Sequence, residues 1–115
     1  MLFRSNPCCE QGLRNGECCV LSEIFLSRVP TYDDLSVLAK LLYRICKHAL
    51  RLPCNYPHTT AVMHAAMRMG IGVTGYLEAT EEQRQWLPRL YEELRAYDKL
   101  YSAARGWPES VRLTT

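Results

Sequence analysis

The 115-residue sequence lacks the long apolar runs that membrane proteins and exported proteins carry. No stretch reaches the roughly 18 apolar residues of a membrane-spanning helix, and the N-terminus has no apolar segment of secretory length. The sequence also lacks any block of like charge, and its net charge is only +2. We therefore expect a cytoplasmic protein with no membrane partner and no nucleic-acid partner.

Cysteine, by contrast, is plentiful. The chain has six cysteines, and four of them lie within twelve residues: Cys8, Cys9, Cys18 and Cys19. In a secreted protein this density would indicate a disulfide framework, but without an export signal clustered thiols more often bind metal or take part in catalysis. The composition is 48% apolar and 23% charged, which predicts a folded chain, and the length allows one domain.

Both ends of the chain predict extended structure. The first 30 residues contain the turn signals Asn-Pro, Gln-Gly and Asn-Gly, so we expect a loop or hairpin there. The β-branched and apolar segment 19–26 follows and predicts a strand buried on at least one face. Residues 109–115 resemble the start of another strand. Because the chain stops as that strand begins, we expect a truncated domain.

The segment 31–106 predicts helices, the first of which begins after Thr31. The Thr31 side chain can cap this helix, with Asp34 three residues on. A core-facing stripe is predicted at Leu35, Leu38, Leu42, Ile45 and Ala49. The other faces are predicted to carry Asp34, Lys40, Arg44 and Lys47. Pro53 and Pro57 end this helix, and the apolar segment 60–69 predicts a short buried helix.

A later helix is predicted from a second capping box, formed by Thr80 and Gln83. Proline inside a helix costs about 3 kcal/mol, so we expect the helix to restart with Pro88 at its first position. The core-facing stripe of this helix is predicted at Leu90, Leu94, Tyr97 and Tyr101. Gly106 is expected to end it.

Two motifs, one typical of dinucleotide binding and one of zinc binding, do not have the sequence context that those sites require. Gly70, Gly72 and Gly75 spell G-x-G-x-x-G, but a dinucleotide fingerprint follows a strand and opens a helix, and tight backbone packing explains these glycines better. Adjacent cysteines do not have the two-to-four-residue gap of zinc ligand pairs. We therefore predict no metal site. Cys46 and Cys54 are interpreted as small buried apolar residues.

The segment Asn6-Pro7-Cys8-Cys9-Glu10 has a pattern suited to catalysis. An amide and a carboxylate flank the Cys8 thiol at two residues on either side, and Pro7 stiffens the approach. Three such groups can face one small substrate. The residues alone leave a second interpretation open, in which a turn carries these polar side chains by chance.

The run Ser5-Asn6-Pro7-Cys8-Cys9-Glu10-Gln11 resembles the Asn-Pro-Cys-Gly-Glu-Gln finger loop of the adenosylcobalamin-dependent (class II) ribonucleotide reductases of the ribonucleoside-triphosphate type. The segment 19–23, Cys-Val-Leu-Ser-Glu, is similar to their Cys-Asn-Leu-x-Glu strand. Residues 71–75, 94–99 and 111–115 resemble further segments of that family in the same order. Two departures are Cys9, where the family usually has glycine, and Val20, where it usually has asparagine.

The resemblance implies specific roles. Cys8 would become a thiyl radical, Glu10 would act as general base on the 3′ hydroxyl, and Asn6 would hold the ribose by hydrogen bonding. Cys19 would supply one of two reducing thiols, with its partner on a strand outside this chain. The implied cofactor is adenosylcobalamin, whose site is not evident in this sequence. The implied partners are a ribonucleotide substrate, a thioredoxin-type reductant and the remaining portions of the enzyme.

The implied fold is α/β, a segment of a ten-stranded α/β barrel that is mostly helical with a cysteine-bearing loop and two or three strand pieces. As a partial barrel domain it would comprise a finger loop and strand at 1–30, helices at 31–106 and the start of the next strand at 107–115. The sequence leaves two other classes open. One is a small helical binding module held by zinc or disulfides, and the other is an inactive gene remnant.

Overall fold

Residues 4–113 are described by a computed structural model, in which three α-helices accompany two small sheets. The elements in chain order are β1 (Arg4–Ser5), β2 (Gly12–Leu13), β3 (Val20–Phe25), α1 (Tyr32–Ala49), α2 (Pro57–Ala66), β4 (Met69–Thr74) and α3 (Glu81–Arg105). A single 3₁₀ turn, Leu26–Arg28, follows β3. The predicted α/β class is confirmed. Within this part of the chain, no helix is both long and apolar enough to cross a bilayer.

The first sheet is a short hairpin. Its strands β1 and β2 are antiparallel, with Arg4 opposite Leu13 and Ser5 opposite Gly12. The turn signals of the first 30 residues therefore predicted this region correctly.

The second sheet pairs β3 with β4 in parallel, from Val20 opposite Met69 to Phe25 opposite Thr74. One face of the pair is buried against the helices, and Ile24 and Ile71 belong to it. The strand predicted at 19–26 is confirmed. The other face is more open, since Phe25 is 57% exposed.

The far edge of β4 bonds to the end of the described chain. Met69 N donates to Arg112 O at 3.1 Å, and Ile71 N donates to Leu113 O at 2.8 Å. Residues 112–113 thus lie beside β4, which agrees with the strand predicted at 109–115. They are not part of a regular strand among the described residues. The last two residues of that prediction, 114 and 115, lie outside the described residues.

Helix α1 begins as predicted, because the Thr31 side chain accepts a hydrogen bond from Asp34 N. Its buried face differs from the predicted stripe. The core-facing residues are Leu35, Ala39, Tyr43, Cys46 and the following Leu50, while Leu38 and Leu42 are only partly buried. Ile45 is 56% exposed and Lys47 is fully buried, so both were placed on the wrong face. The helix turns this face inward because Tyr43 and Lys47 both bond to a carboxylate of α3.

The helix predicted at 60–69 has the expected length but begins three residues earlier, and it is largely not buried. Helix α2 begins at Pro57, its first position, and only Ala66 is buried in it. Met67 has a φ of 47°, a left-handed conformation that ends the helix. The chain can then extend, and Met69 begins β4.

Helix α3 has the predicted capping box of Thr80 and Gln83, with both reciprocal bonds formed. The predicted restart at Pro88 is wrong, because the helix continues unbroken through it. Pro88 lies in the second turn of the helix. Because proline has no backbone N–H, it removes one helical hydrogen bond there, but the other turns of this long helix keep theirs. Gly106 ends the helix with a left-handed φ of 64°, as predicted.

A polar cluster lies in the core between α1 and α3. Asp98 Oδ1 accepts hydrogen bonds from Tyr43, from Lys47 Nζ at 2.9 Å and from Ser102, while Asp98 Oδ2 accepts one from Ser110 N at 2.8 Å. The side chains of Lys47 and Asp98 have no exposed surface. The cluster therefore joins both long helices to the segment that runs toward β4.

Candidate active-site loop

The loop between β1 and β2 starts with a tight turn. Cys9 N donates to Asn6 O at 3.0 Å, which closes a four-residue turn with Pro7 at its second position. Proline is favoured there because its fixed φ suits the turn. Cys9 follows with a φ of 64°. This left-handed conformation is the one glycine adopts most readily, so the structure gives a physical reason for glycine at this position in the resembled loop.

Asn6 organises the loop. Its Nδ2 donates to Glu10 Oε1, and its Oδ1 accepts from Gln11 N at 3.1 Å. The Asn6 main-chain N also donates to Gln11 O at 3.2 Å. Asn6 is only 8% exposed. The structure therefore brings Asn6 and Glu10 together on either side of Cys8, as the motif spacing predicted.

The Glu10 carboxylate retains one buried oxygen for another donor. Glu10 Oε2 has no hydrogen-bond partner among residues 4–113, and neither polar atom of the fully buried Gln11 side chain has one. A buried acceptor without a donor costs about 1–3 kcal/mol. A hydrogen-bond donor that reached Glu10 Oε2 would recover this cost.

The two predicted reactive thiols differ in environment. Cys8 is exposed at the turn, whereas Cys19 is partly buried immediately before β3. Burial raises the pKa of the Cys19 thiol, and the negative charges of Glu10 and Glu17 raise it further. Glu10 therefore lies within electrostatic reach of Cys19. A raised pKa keeps Cys19 protonated near neutral pH, which suits a thiol that donates hydrogen more than a thiolate nucleophile.

Sequence reasoning missed the residues that anchor the loop. Glu17 is buried, its Oε2 accepts from Arg14 N at 2.7 Å, and its Oε1 accepts from Arg68 Nε at 2.8 Å. This ion pair ties the segment after β2 to the junction of α2 and β4. The sequence did not indicate this ion pair, because Glu17 and Arg68 are 51 residues apart.

The glycine motif serves close packing, as expected. A Cβ atom on Gly72 would lie 2.3 Å from Glu23 Oε1, so a larger residue at this position would require the Glu23 side chain to move. Gly70 and Gly72 lie inside β4, and α3 begins only at Glu81, six residues after Gly75. The strand-to-helix turn that a dinucleotide fingerprint requires is not formed here.

The cysteines do not gather into a metal-binding group. In the described part of the chain, no three His, Cys, Asp or Glu side chains are placed to hold a metal ion. All six cysteines are free thiols in the structure. Cys46 is buried as predicted, whereas Cys54 is exposed, so its predicted burial is wrong.

Two curated proteins are similar to this chain. The adenosylcobalamin-dependent ribonucleoside-triphosphate reductase of Euglena gracilis is 30% identical over 117 residues, which cover 96% of this chain and 16% of the relative. The probable adenosylcobalamin-dependent ribonucleoside-triphosphate reductase of Dictyostelium discoideum is 24% identical over 115 residues, with coverage of 96% and 15%. The chain thus spans about one sixth of the length of these relatives. No protein-family model matches it. No solved structure matches it either.

Proposed function

We propose that this chain belongs to the adenosylcobalamin-dependent ribonucleoside-triphosphate reductases and forms part of a larger enzyme that reduces ribonucleotides to deoxyribonucleotides. The observation that carries the proposal is the folded loop, in which Asn6 and Glu10 bond to each other around the exposed Cys8. Similarity to two curated reductases along 96% of the chain supports the same family.

The proposed setting is a ten-stranded α/β barrel of which this chain supplies one portion. The parallel pairing of β3 and β4, with helices connecting them, supports an α/β barrel arrangement. In this setting the more open face of the pair, which carries Leu21, Glu23 and Phe25, would look toward the barrel interior. The hairpin loop would then enter the interior with the Cys8 thiol at its tip.

The reaction on the ribose would begin at Cys8. Once Cys8 holds an unpaired electron, its sulfur removes the 3′ hydrogen, so an S–H bond forms as the C–H bond breaks. Glu10 accepts the proton of the 3′ hydroxyl through the oxygen that Asn6 leaves unpaired. Asn6 keeps Glu10 in place and polarises the same region.

Reduction would follow at the 2′ carbon. The 2′ hydroxyl leaves as water after gaining a proton, and Cys19 with a second thiol outside this chain supplies two electrons and two protons while the pair becomes a disulfide. Cys8 then returns its hydrogen to the 3′ carbon, and Glu10 returns its proton to the 3′ oxygen. The raised pKa of Cys19 favours this role, because the protonated thiol is the form that donates hydrogen. A thioredoxin-type reductant would restore the dithiol.

The cofactor would be held elsewhere in the larger enzyme. When bound, adenosylcobalamin supplies the radical chemistry, but the described residues do not fit it. The apolar cavity between the sheet and α3 has a volume of about 440 Å³, too small for a cobalamin.

The proposal is tested by grafting into the Euglena gracilis reductase. One chimera receives residues 5–23 of this chain in place of the matching segment, and a second receives the whole chain. We expect the smaller graft to form deoxynucleotides and to exchange hydrogen between cofactor and solvent.

The matched control is the same graft with Cys8→Ser, which should lose both activities. Gel filtration and circular dichroism establish that each chimera is folded. A folded 5–23 graft with no more activity than its Cys8→Ser version would reject the proposed function.

A further inference from the structure

Three aromatic rings meet where the ends of α1 and α3 come together. The His48 ring lies between the other two, with its centroid 6.2 Å from that of Tyr101 and 5.1 Å from that of Trp107. Both contacts are edge-to-face, the arrangement that aromatic pairs prefer. Tyr101 is buried, Trp107 is partly buried and His48 is exposed. The rings therefore form a continuous series of contacts between the surface and the core.

The Tyr101 hydroxyl faces a base. His48 Nε2 lies 2.8 Å from Tyr101 Oη. In the neutral imidazole with its proton on Nδ1, Nε2 is an acceptor and the phenol hydroxyl donates to it. A separation of this size allows a proton to pass from a donor to a base. His48 is thus placed to take the Tyr101 proton when the phenol loses an electron.

A positive charge beside Tyr101 makes release of this proton important. The Arg105 guanidinium carbon lies 3.6 Å from the centroid of the Tyr101 ring. Loss of an electron alone would leave a cationic ring, which the guanidinium charge disfavours. Transfer of the phenol proton to His48 leaves a neutral phenoxyl radical instead. Because His48 is exposed, its imidazole can pass the proton on to solvent.

Tyr43, a buried neighbour of Tyr101, does not have such a base. The two ring centroids are 5.5 Å apart. The Tyr43 hydroxyl donates to Asp98 Oδ1, which also accepts hydrogen bonds from an ammonium group and from a second hydroxyl. A carboxylate stabilised in this way is a weak proton acceptor. An oxidising equivalent that reaches these rings is therefore expected to remain on Tyr101.

We propose that Tyr101 is a redox-active tyrosine that reduces an oxidised Trp107 and passes its own proton to His48. A small one-electron oxidant at the surface removes an electron from Trp107, and the indole N–H proton goes to water. Trp107 then gains an electron from Tyr101 and a proton from water, so the indole is restored. Tyr101 becomes a phenoxyl radical. The transfer is favourable because a phenol bonded to a base is oxidised more easily than an indole.

The second tryptophan of the chain provides a matched comparison. Trp86 contacts Tyr32 edge-to-face with ring centroids 6.3 Å apart, but the Tyr32 hydroxyl donates to Glu93. Hydrogen bonds, the largest effect being that from Lys40, lower the pKa of Glu93 to about 2. This carboxylate is therefore a poor acceptor for the Tyr32 proton. We expect an oxidised Trp86 to be reduced by its neighbouring tyrosine much more slowly than Trp107 is.

Pulse radiolysis of the 115-residue chain with azide radicals tests the proposal, because this oxidant attacks indole rings in preference to phenols. In Trp86→Phe, which keeps Trp107, the indolyl radical should decay as a phenoxyl radical appears, at a rate independent of protein concentration. In the matched variant Trp107→Phe, this transfer should be at least about tenfold slower, since a proton acceptor in contact commonly contributes roughly 10²–10⁴-fold to a rate.

Two further changes, each added to Trp86→Phe, identify the electron donor and the base. Tyr101→Phe should abolish the fast appearance of the phenoxyl radical. His48→Gln, whose side chain forms hydrogen bonds but is not a base, should slow it at least about tenfold. Circular dichroism establishes that each variant is folded. Fast transfer that persists with Tyr101→Phe or with His48→Gln, or equal rates in Trp86→Phe and Trp107→Phe, overturns the proposal.

Discussion

Lys47 Nζ lies 2.9 Å from Asp98 Oδ1, and both side chains are completely buried. The pair joins α1 to α3, and each partner has further hydrogen bonds that satisfy its remaining polar atoms. Burial lowers the pKa of Lys47, while hydrogen bonds from Tyr43 and Lys47 lower the pKa of Asp98 against the opposing effect of its own burial. Each group therefore lies in the low-dielectric core with the other as its main electrostatic partner.

Removal of one member of this pair should be costly. We expect Asp98→Ala to lower the free energy of unfolding by about 3–5 kcal/mol, because it leaves the Lys47 charge buried without its partner. Replacing both residues with apolar ones should cost much less. Denaturant unfolding measures each variant, and Glu81→Gln, which removes the exposed Arg84–Glu81 pair, serves as the control with a small effect. Equal losses for Asp98→Ala and Glu81→Gln would contradict this account.

Glu93 should make the free energy of unfolding depend on pH in the acidic range. Hydrogen bonds from Lys40, Ser36 and Tyr32 lower the pKa of Glu93 from 4.5 to about 2. The unfolded state therefore binds more protons between these values, so this contribution is complete above pH 4.5 and is lost as the pH falls toward 2. We expect Glu93→Gln to flatten the dependence of unfolding free energy on pH in this range. An unchanged slope would show that Glu93 is not stabilised in the folded state.

Cys9→Gly should stabilise the loop. A non-glycine residue in the left-handed conformation costs about 1–2 kcal/mol, and glycine adds an unfolded-state entropy cost of about 0.5–1 kcal/mol. We expect a net gain of up to about 1 kcal/mol in thermal or denaturant unfolding. Cys8 does not have a positive φ, so Cys8→Gly should bring no such gain.

Gly72→Ala should clash with Glu23. The added Cβ would lie 2.3 Å from Glu23 Oε1, which is held because Glu23 Oε2 accepts from Thr74 at 2.8 Å. We expect a loss of no more than about 1 kcal/mol in unfolding free energy, because the exposed Glu23 side chain can move at the cost of its hydrogen bond to Thr74. Most of the loss should disappear when Glu23→Ala is introduced first. Gly12→Ala is the control, because nothing lies within 4 Å of its added Cβ.

Substitutions of Cys8 and Cys19 in the grafted reductase should have different effects on hydrogen exchange and on deoxynucleotide formation. Cys19→Ser should keep hydrogen exchange with the cofactor but lose deoxynucleotide formation, because its thiol acts after the 3′ hydrogen has left. Cys18→Ala, at an exposed cysteine with no proposed role, should have modest effects on both. Loss of exchange together with reduction in Cys19→Ser would assign Cys19 a structural role instead.

The sequence predicted features that depend on residues near one another in the chain. Thr31 and Thr80 cap their helices through bonds to residues three positions on, so their spacing alone reveals them. The placement of Asn6 and Glu10 on either side of Cys8 is likewise local. The strand before the first helix was predicted from its own β-branched and apolar residues, whereas the α/β class was implied by the resemblance to a known family.

Features that depend on distant partners were not predictable. Lys47 looked like a surface residue because its partner Asp98 is 51 residues away, and the buried face of α1 was misplaced with it. The Glu17–Arg68 anchor was missed for the same reason. Pro88 was misjudged because a helix tolerates one missing hydrogen bond when tertiary packing holds the remaining turns.

The parallel pairing of β3 with β4 also has a kinetic consequence. Partners such as Val20 and Met69 are 49 residues apart, and two helices intervene. Closing so long a loop costs entropy before any strand bond compensates it, so pairing is slow relative to local events. The hairpin and the capped helices therefore have time to form first, and β4 can bond to residues 112–113 only after these residues have been synthesised. Before β3 and residues 112–113 pair with it, β4 presents unpaired N–H and C=O groups to other chains, so this interval favours aggregation.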